Sequence, residues 1–155
     1  MGPAPTPVVR ASGGPTETLA LGALLGAALA RGDCLGLDGP LGAGKTVFVR
    51  GLVQGAGAAD RVRSPTFVLH AVYPGPLTVH HLDLYRLDEG VDLRTLGVEE
   101  LMETGAVVVE WAERADRGWF TARCRIEPAG GDRRRIRLDA PDRLLRALRL
   151  PEAPR

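Results

Sequence analysis

The 155-residue chain has no asparagine, one lysine and two cysteines, and only 5% of its residues are aromatic. The absence of asparagine excludes both an N-glycosylation sequon and the Asn-Lys-x-Asp signature with which regulatory GTPases read guanine. Cys34 and Cys124 are 90 positions apart and belong to no Cys-x-x-Cys pattern, which predicts neither a disulfide framework nor structural zinc and favours a reducing cytoplasm. The longest apolar run, residues 19–30, has 12 residues, which is too few to span a bilayer. We therefore expect a cytoplasmic protein with no membrane partner.

Charge is distributed unevenly, although the net charge is only +1. Residues 1–113 contain 8 basic and 13 acidic groups, whereas residues 114–155 contain 12 basic and 6 acidic groups, so the two parts carry −5 and +6. We interpret the basic part as a solvated face of a chain that uses arginine throughout. The alternative is a nucleotide-dependent RNA-binding surface, whose affinity for tRNA would fall steeply with salt. No DNA partner is expected.

Hydrophobic spacing and turn residues predict an α/β fold in which helices flank a mainly parallel sheet. We expect a single domain over residues 16–150, preceded by a flexible segment over 1–15 with at most a short strand at Val8 and Val9, and followed by a tail over 151–155. Thr16 is predicted to cap a first helix, which Gly32 ends. The apolar stripe of that helix would consist of Leu21, Leu24, Leu25 and Leu29.

Short apolar segments predict the remaining elements. The predicted strands are residues 34–37, 66–72, 77–84, 106–109, 124–127 and 134–138. Helical turns are predicted at 93–96 and 98–103, and helices at 45–54 and from about 142.

The segment Gly39-Pro40-Leu41-Gly42-Ala43-Gly44-Lys45-Thr46 satisfies the phosphate-loop pattern G-x-x-x-x-G-K-[ST], between a predicted strand and a predicted helix. In such a loop the backbone N–H groups converge on phosphate oxygens, and the positive end of the helix dipole adds to the attraction. The lysine reaches the β- and γ-phosphates, and the hydroxyl of the threonine coordinates Mg²⁺. The motif therefore predicts a nucleoside triphosphate site, and the missing guanine signature favours adenine or loose base selection.

Two acidic residues could complete a magnesium site beside this loop. Glu110 follows the apolar strand at 106–109 and precedes Trp111, and Asp83 lies in the segment His81-Leu82-Asp83-Leu84-Tyr85-Arg86. Side chains alternate along an extended chain, so His81, Asp83 and Tyr85 would share one face.

Other interpretations of these residues remain open at this point. Glu110 could cap the helical turn that follows it, and Asp83 could form a surface pair with Arg86. A zinc site made of His80, His81 and Asp83 is disfavoured, because adjacent residues of a strand point to opposite faces. The segment Ser64-Pro65-Thr66-Phe67 could be a switch that senses the γ-phosphate, or equally an entry into the next strand at which proline sets the turn.

Taken together, the motifs resemble those of the TsaE (YjeE) family of small bacterial P-loop ATPases, over about residues 16–135. The resemblance rests on the phosphate loop, on the SPTF segment at 64–67, on the HLDLYR segment at 81–86 and on Val109-Glu110-Trp111. It implies a P-loop NTPase fold and Mg²⁺-dependent ATP hydrolysis as an accessory to a TsaB–TsaD complex. That complex forms threonylcarbamoyladenosine beside the anticodon of tRNAs that read codons starting with A, and this chain would contact tRNA only indirectly or weakly.

The resemblance also implies roles for single residues. Asp83 would support hydrolysis, Thr46 and Glu110 would hold Mg²⁺, and Thr66 and Trp111 would be neighbours in the site without a defined role. The phosphates would be held by Lys45 and by the backbone of Leu41, Gly42, Ala43 and Gly44. The chain departs from the family at Ala112, where many members have proline. A small-molecule P-loop kinase is the rival prediction, but such kinases usually place the phosphate-loop strand near the N-terminus, whereas a whole helix precedes it here.

Overall fold

A computed structural model describes residues 3–58, 70–87 and 90–149, with Arg117 described by its backbone alone. Within these ranges seven strands form one sheet. In chain order the strands are β1 (Val8–Ser12), β2 (Cys34–Asp38), β3 (His70–Tyr73), β4 (Val79–Asp83), β5 (Ala106–Glu110), β6 (Ala122–Pro128) and β7 (Arg134–Asp139). The helices are α1 (Pro15–Ala28), α2 (Lys45–Gly55), α3 (Val98–Thr104) and α4 (Asp142–Leu148), with 3₁₀ turns at Leu93–Leu96, Ala112–Arg114 and Arg117–Trp119.

The sheet is mixed, with the strand order β1-β7-β6-β2-β5-β4-β3. The central strands β4, β5, β2 and β6 run parallel to one another, whereas β3, β7 and β1 pair antiparallel with their neighbours. The prediction of a mainly parallel sheet is therefore wrong, since half of the pairings are antiparallel. The reason is the short connections β3–β4 and β6–β7, which can only join antiparallel strands because a parallel return needs a long crossover.

Both faces of the central strands are buried. Helices α1, α2 and α4 pack on one face, and α3 and the adjoining 3₁₀ turns pack on the other. In β5 the side chain of Val108 packs on the face covered by α1, α2 and α4, and those of Val107 and Val109 pack on the face covered by α3. This two-sided burial explains why the strand is an unbroken apolar run and does not alternate with polar residues.

The N-terminal segment is part of the sheet. Residues of β1 pair with β7 in the register Val8 to Leu138 and Ser12 to Arg134. The short strand allowed at Val8 and Val9 is confirmed, but it continues to Ser12, so the prediction of a flexible segment is wrong for residues 10–12. The pairing partner lies more than a hundred residues away along the chain, so local sequence does not reveal it.

The boundaries of α1 also differ from those predicted. Gly14 occupies the N-cap position and Pro15 begins the helix, so Thr16 is not the cap. Proline favours the first helical position because its fixed φ is helical and its missing N–H is not needed there. The helix ends at Ala28, before Gly32, which lies in a turn with φ of 93°. Leu24 is 49% exposed and does not belong to the buried stripe.

The other predicted elements are confirmed to within about two residues. The exception is the strand at 66–72, of which the structure shows only the end as β3, since residues 59–69 lie outside the described ranges. In the part of the chain that is described, no helix has both the length and the apolar character required to cross a bilayer.

Glycines bring α1 and α2 into backbone contact. At four positions an added Cβ would lie 2.3 Å or less from a carbonyl oxygen of the facing helix. These positions are Gly22 and Gly26 in α1 and Gly51 and Gly55 in α2. The glycine-rich character of the apolar run at 19–30 is thus explained by close packing of two helices, a contact that fixes α2 and the loop preceding it.

We predict that Gly51→Ala destabilises the fold. The new methyl group would meet the carbonyl oxygen of Leu19 at 2.1 Å. Overpacking of this kind costs about 1–3 kcal/mol, which exceeds the gain in helix propensity, at most about 1 kcal/mol. Urea unfolding followed by circular dichroism should show the loss. Gln54→Ala, at an exposed position of the same helix, is the control, and equal stability of the two variants would contradict the prediction.

Candidate nucleotide-binding site

The glycine-rich loop connects β2 to α2, as the sequence predicts. Gly42 and Gly44 adopt left-handed conformations with φ of 76° and 97°, which favour glycine. A Cβ on Gly42 would meet no atom within 4 Å, so the loop backbone faces open space there. Because Gly44 is also the N-cap of α2, the unpaired N–H groups of the first helical turn follow directly after the loop.

Lys45 is only 5% exposed, and it lines the cavity beside the loop. Its Nζ donates a hydrogen bond to the carbonyl oxygen of Gly39 (2.5 Å) and lies 3.5 Å from the ring centroid of Trp111. Burial lowers the pKa of Lys45, and the nearby carboxylates, Glu110 first among them, oppose that shift. A buried cation held by one carbonyl and one aromatic face can take an anionic partner with little further desolvation.

The carboxylates of Asp83 and Glu110 lie side by side at the edge of the sheet from which the loop departs. Strands β4 and β5 are parallel and pair Asp83 with Glu110, and β2 pairs Leu37 with Glu110. Since the carboxyl ends of parallel strands meet at one edge, residues distant in sequence become neighbours. Burial raises the pKa of Asp83, and the charge of Glu110 adds to this, while the N–H of Tyr85, 2.9 Å from Oδ1, acts in the opposite direction.

These groups open onto one cavity of about 460 Å³. Of the site residues predicted from sequence, those that line it are Leu41, Gly42, Ala43, Gly44, Lys45, Thr46, Asp83, Glu110 and Trp111. The remaining one, Thr66, lies outside the described residues together with the rest of the SPTF segment. Tyr85 also lines the cavity and stacks on Trp111 with ring centroids 5.1 Å apart.

The donor set of the cavity fits a magnesium-bound phosphate ester. Backbone N–H groups and an ammonium ion are donors to phosphate oxygens, and their number at this helix N-terminus is typical of anion sites. The hydroxyl of Thr46 and the carboxylates of Glu110 and Asp83 are oxygen ligands, the type that Mg²⁺ prefers. The volume lies within the range of small-molecule sites.

Comparison with known proteins assigns the chain to a family. A family model described as "Threonylcarbamoyl adenosine biosynthesis protein TsaE" matches residues 13–136. The chain belongs to the TsaE family. The matched region contains the glycine-rich loop and both carboxylates of the cavity, and it places the chain in a family of tRNA modification, the biosynthesis of threonylcarbamoyladenosine.

Individual TsaE proteins are similar to this chain over most of its length. The protein of Bacillus subtilis is 38% identical over 130 residues, 81% of each chain, and that of Streptomyces coelicolor is 40% identical over 124 residues, 77% of this chain and 76% of the relative. The protein of Treponema pallidum is 44% identical over 99 residues, 63% of this chain and 73% of the relative. A crystal structure of Bacillus subtilis YdiB superposes with a TM-score of 0.74 and 30% identity, covering 92% of this chain and 91% of that one.

The structure also decides two of the alternative interpretations, those that concern Glu110 and the zinc site. Trp111, with φ of 58°, occupies the N-cap position of the next 3₁₀ turn, and no side chain caps it, so Glu110 is not a capping residue. The carboxylate of Glu110 instead lies 2.6 Å from Nε2 of His81. His80 lies on the opposite face of β4 from His81, where it forms hydrogen bonds with His70 (3.0 Å) and Thr104 (2.9 Å). Among the residues that the structure describes, no group of three or more His, Cys, Asp or Glu side chains could hold a metal ion, and the histidine zinc site is not formed.

Arg134 is a residue of the cavity that sequence reasoning missed. From β7 its guanidinium donates to the carbonyl oxygens of Ala43 (2.8 Å) and Gly42 (3.1 Å), which fastens the backbone of the glycine-rich loop to β7. Asp132 and Thr18 line the same side. Arg134 is one of nineteen arginines, and no local motif distinguishes it from the others.

Proposed function

We propose that this TsaE family member is a Mg²⁺-dependent ATPase with a P-loop NTPase fold. It acts in the cytoplasm as an accessory component of a TsaB–TsaD complex, in formation of threonylcarbamoyladenosine beside the anticodon of tRNAs that read codons starting with A. One observation carries the proposal: the glycine-rich loop, Lys45, Asp83 and Glu110 converge on a single cavity. Membership of a tRNA-modification family supports the biological context.

The residues divide the chemistry among them. The loop N–H groups and Lys45 bind the β- and γ-phosphates, and Thr46 and Glu110 hold Mg²⁺, which when bound neutralises charge on the phosphate oxygens. Asp83 orients the attacking water and accepts its proton. Burial raises the pKa of Asp83, and a carboxylate with a raised pKa is a better base.

The isolated chain should hydrolyse ATP slowly. Phosphoryl transfer to water requires positioning and charge neutralisation and no protein nucleophile. Partner groups supplied by TsaB–TsaD would complete the site, and the chain itself would contact tRNA only weakly.

A direct experiment begins with the nucleotide that co-purifies with the protein, identified by mass. Phosphate release from ATP is then measured without an acceptor, with the chain alone and with TsaB–TsaD added. We expect bound adenine nucleotide, slow release alone and faster release with the partners. A stoichiometric phosphorylated small molecule would instead identify a kinase. Tight, salt-sensitive retention of tRNA without the partners would show an RNA-binding module.

A further inference from the structure

We infer that His81 is a positioning residue that holds the carboxylate of Glu110 in its metal-binding orientation. The inference rests on the proposed function, because it concerns the same site. It assigns to the first residue of the HLDLYR segment a role in Mg²⁺ binding that is distinct from the role of Asp83.

The geometry places His81 directly behind Glu110. His81 lies in β4, two residues before Asp83 and on the same face of the strand, and it is opposite Val108 in the register with β5. From there its Nε2 reaches Oε2 of Glu110 at 2.6 Å. The side chain of His81 is 0% exposed and that of Glu110 is 4% exposed. A hydrogen bond this short between buried groups restricts the carboxylate to one orientation.

The other ring nitrogen determines which atom carries the hydrogen. Nδ1 of His81 is buried and has no hydrogen-bond partner within the described ranges. A hydrogen on Nδ1 would be a buried donor without an acceptor, which costs about 1–3 kcal/mol, and it would leave a lone pair of Nε2 facing the carboxylate oxygen of Glu110 at 2.6 Å. The hydrogen therefore lies on Nε2, which donates to Oε2 of Glu110.

The position of His81 relative to the cavity distinguishes positioning from direct binding. Glu110 lines the cavity, whereas His81 is not among the described side chains that line it. His81 can therefore act on a bound cation only through Glu110. Groups that orient a metal ligand in this way typically contribute a factor of about 10–100 in metal affinity.

The chain offers a matched control in the adjacent histidine. His80 belongs to the same strand and is 6% exposed, but its side chain bonds to His70 and Thr104 on the other face. A substitution of His80 therefore alters the same strand without touching the described lining of the cavity.

The test compares His81→Gln and His80→Gln with the wild type by calorimetric titration of ADP, at a series of Mg²⁺ concentrations and in EDTA. For His81→Gln we expect the Mg²⁺ concentration that produces half of the change in ADP affinity to rise about tenfold or more. The ADP affinity measured in EDTA should be unchanged. His80→Gln should match the wild type in both. The inference would be overturned if His81→Gln lost as much ADP affinity in EDTA as in Mg²⁺, or if its Mg²⁺ dependence equalled that of the wild type.

Two further measurements complete the test. In a Glu110→Gln background, His81→Gln should add no further change in Mg²⁺ dependence, because the two residues act as one unit. If His81→Gln does not fold, the ¹⁵N imidazole resonances of the wild type decide. The Nε2–H tautomer of His81, with shifts on adding Mg²⁺ and ADP that His80 lacks, supports the inference, whereas unchanged resonances overturn it. A wild type whose ADP binding ignores Mg²⁺ would refute the proposed function itself.

Discussion

Lys45→Ala is expected to abolish tight ATP binding. The side chain of Lys45 is buried, and among the described residues its ammonium group contacts the carbonyl oxygen of Gly39 and the ring of Trp111. The substitution would leave the phosphate charge without this buried cation. Removing one partner of a buried, hydrogen-bonded charge pair costs about 2–5 kcal/mol, which corresponds to a loss of roughly 30-fold to several thousand-fold in affinity.

Calorimetry or equilibrium dialysis with ATP would measure this loss. Arg50→Ala is the matched control, since it removes a positive charge from an exposed position of the same helix, α2. We expect Arg50→Ala to bind ATP like the wild type, because an exposed charge is screened by solvent and salt. Retention of tight binding by Lys45→Ala would contradict the role given to the loop.

Asp83→Ala should separate binding from chemistry. The carboxylate of Asp83 lies beside Glu110 at the end of β4 and lines the cavity, whereas the loop that would bind the phosphates follows β2. We therefore expect unchanged ATP affinity and a loss of about 10²–10⁴-fold in the rate of phosphate release, the usual contribution of a positioned acid or base.

Single-turnover phosphate release with TsaB–TsaD present is the measurement, because it is independent of product dissociation. The control is Asp139→Ala, which breaks an exposed pair with Arg137 in β7 and should leave turnover unchanged, since exposed pairs contribute little. Equal turnover of Asp83→Ala and the wild type would remove Asp83 from the mechanism.

The local part of the site could be predicted from the sequence, because its determinants are contiguous. The eight residues from Gly39 to Thr46 contain both the glycines and the lysine, and the flanking apolar patterns predict the strand and the helix on either side. Glu110 and Asp83 could be named as candidates, since Glu110 ends an apolar strand and Asp83 lies in the HLDLYR segment. The sequence could not show that they pair in register, nor that His81 reaches Glu110.

The basic part of the chain, residues 114–155, shows another limit of prediction from sequence. Two of its arginines form ion pairs with acidic residues that flank β2: Arg143 pairs with Asp33 before the strand, and Arg123 pairs with Asp38 at its end. Arg134, in the same part of the chain, donates hydrogen bonds to carbonyl oxygens of the glycine-rich loop. Some charges of the acidic part are therefore paired with charges of the basic part inside the folded molecule. The net charge of each part could not reveal this pairing.

The sequence by itself determined the glycine-rich loop, the order of most strands and helices and the short list of acidic residues, since these depend on periodicity and on contiguous motifs. Only the tertiary structure decided the pairing of β1 with β7, the glycine contact of α1 with α2, and the groups around Lys45 and Glu110. The physical reason is that hydrogen bonds across a sheet and contacts between helices join residues far apart in the chain. Their energies depend on register and distance, which no local window of sequence contains.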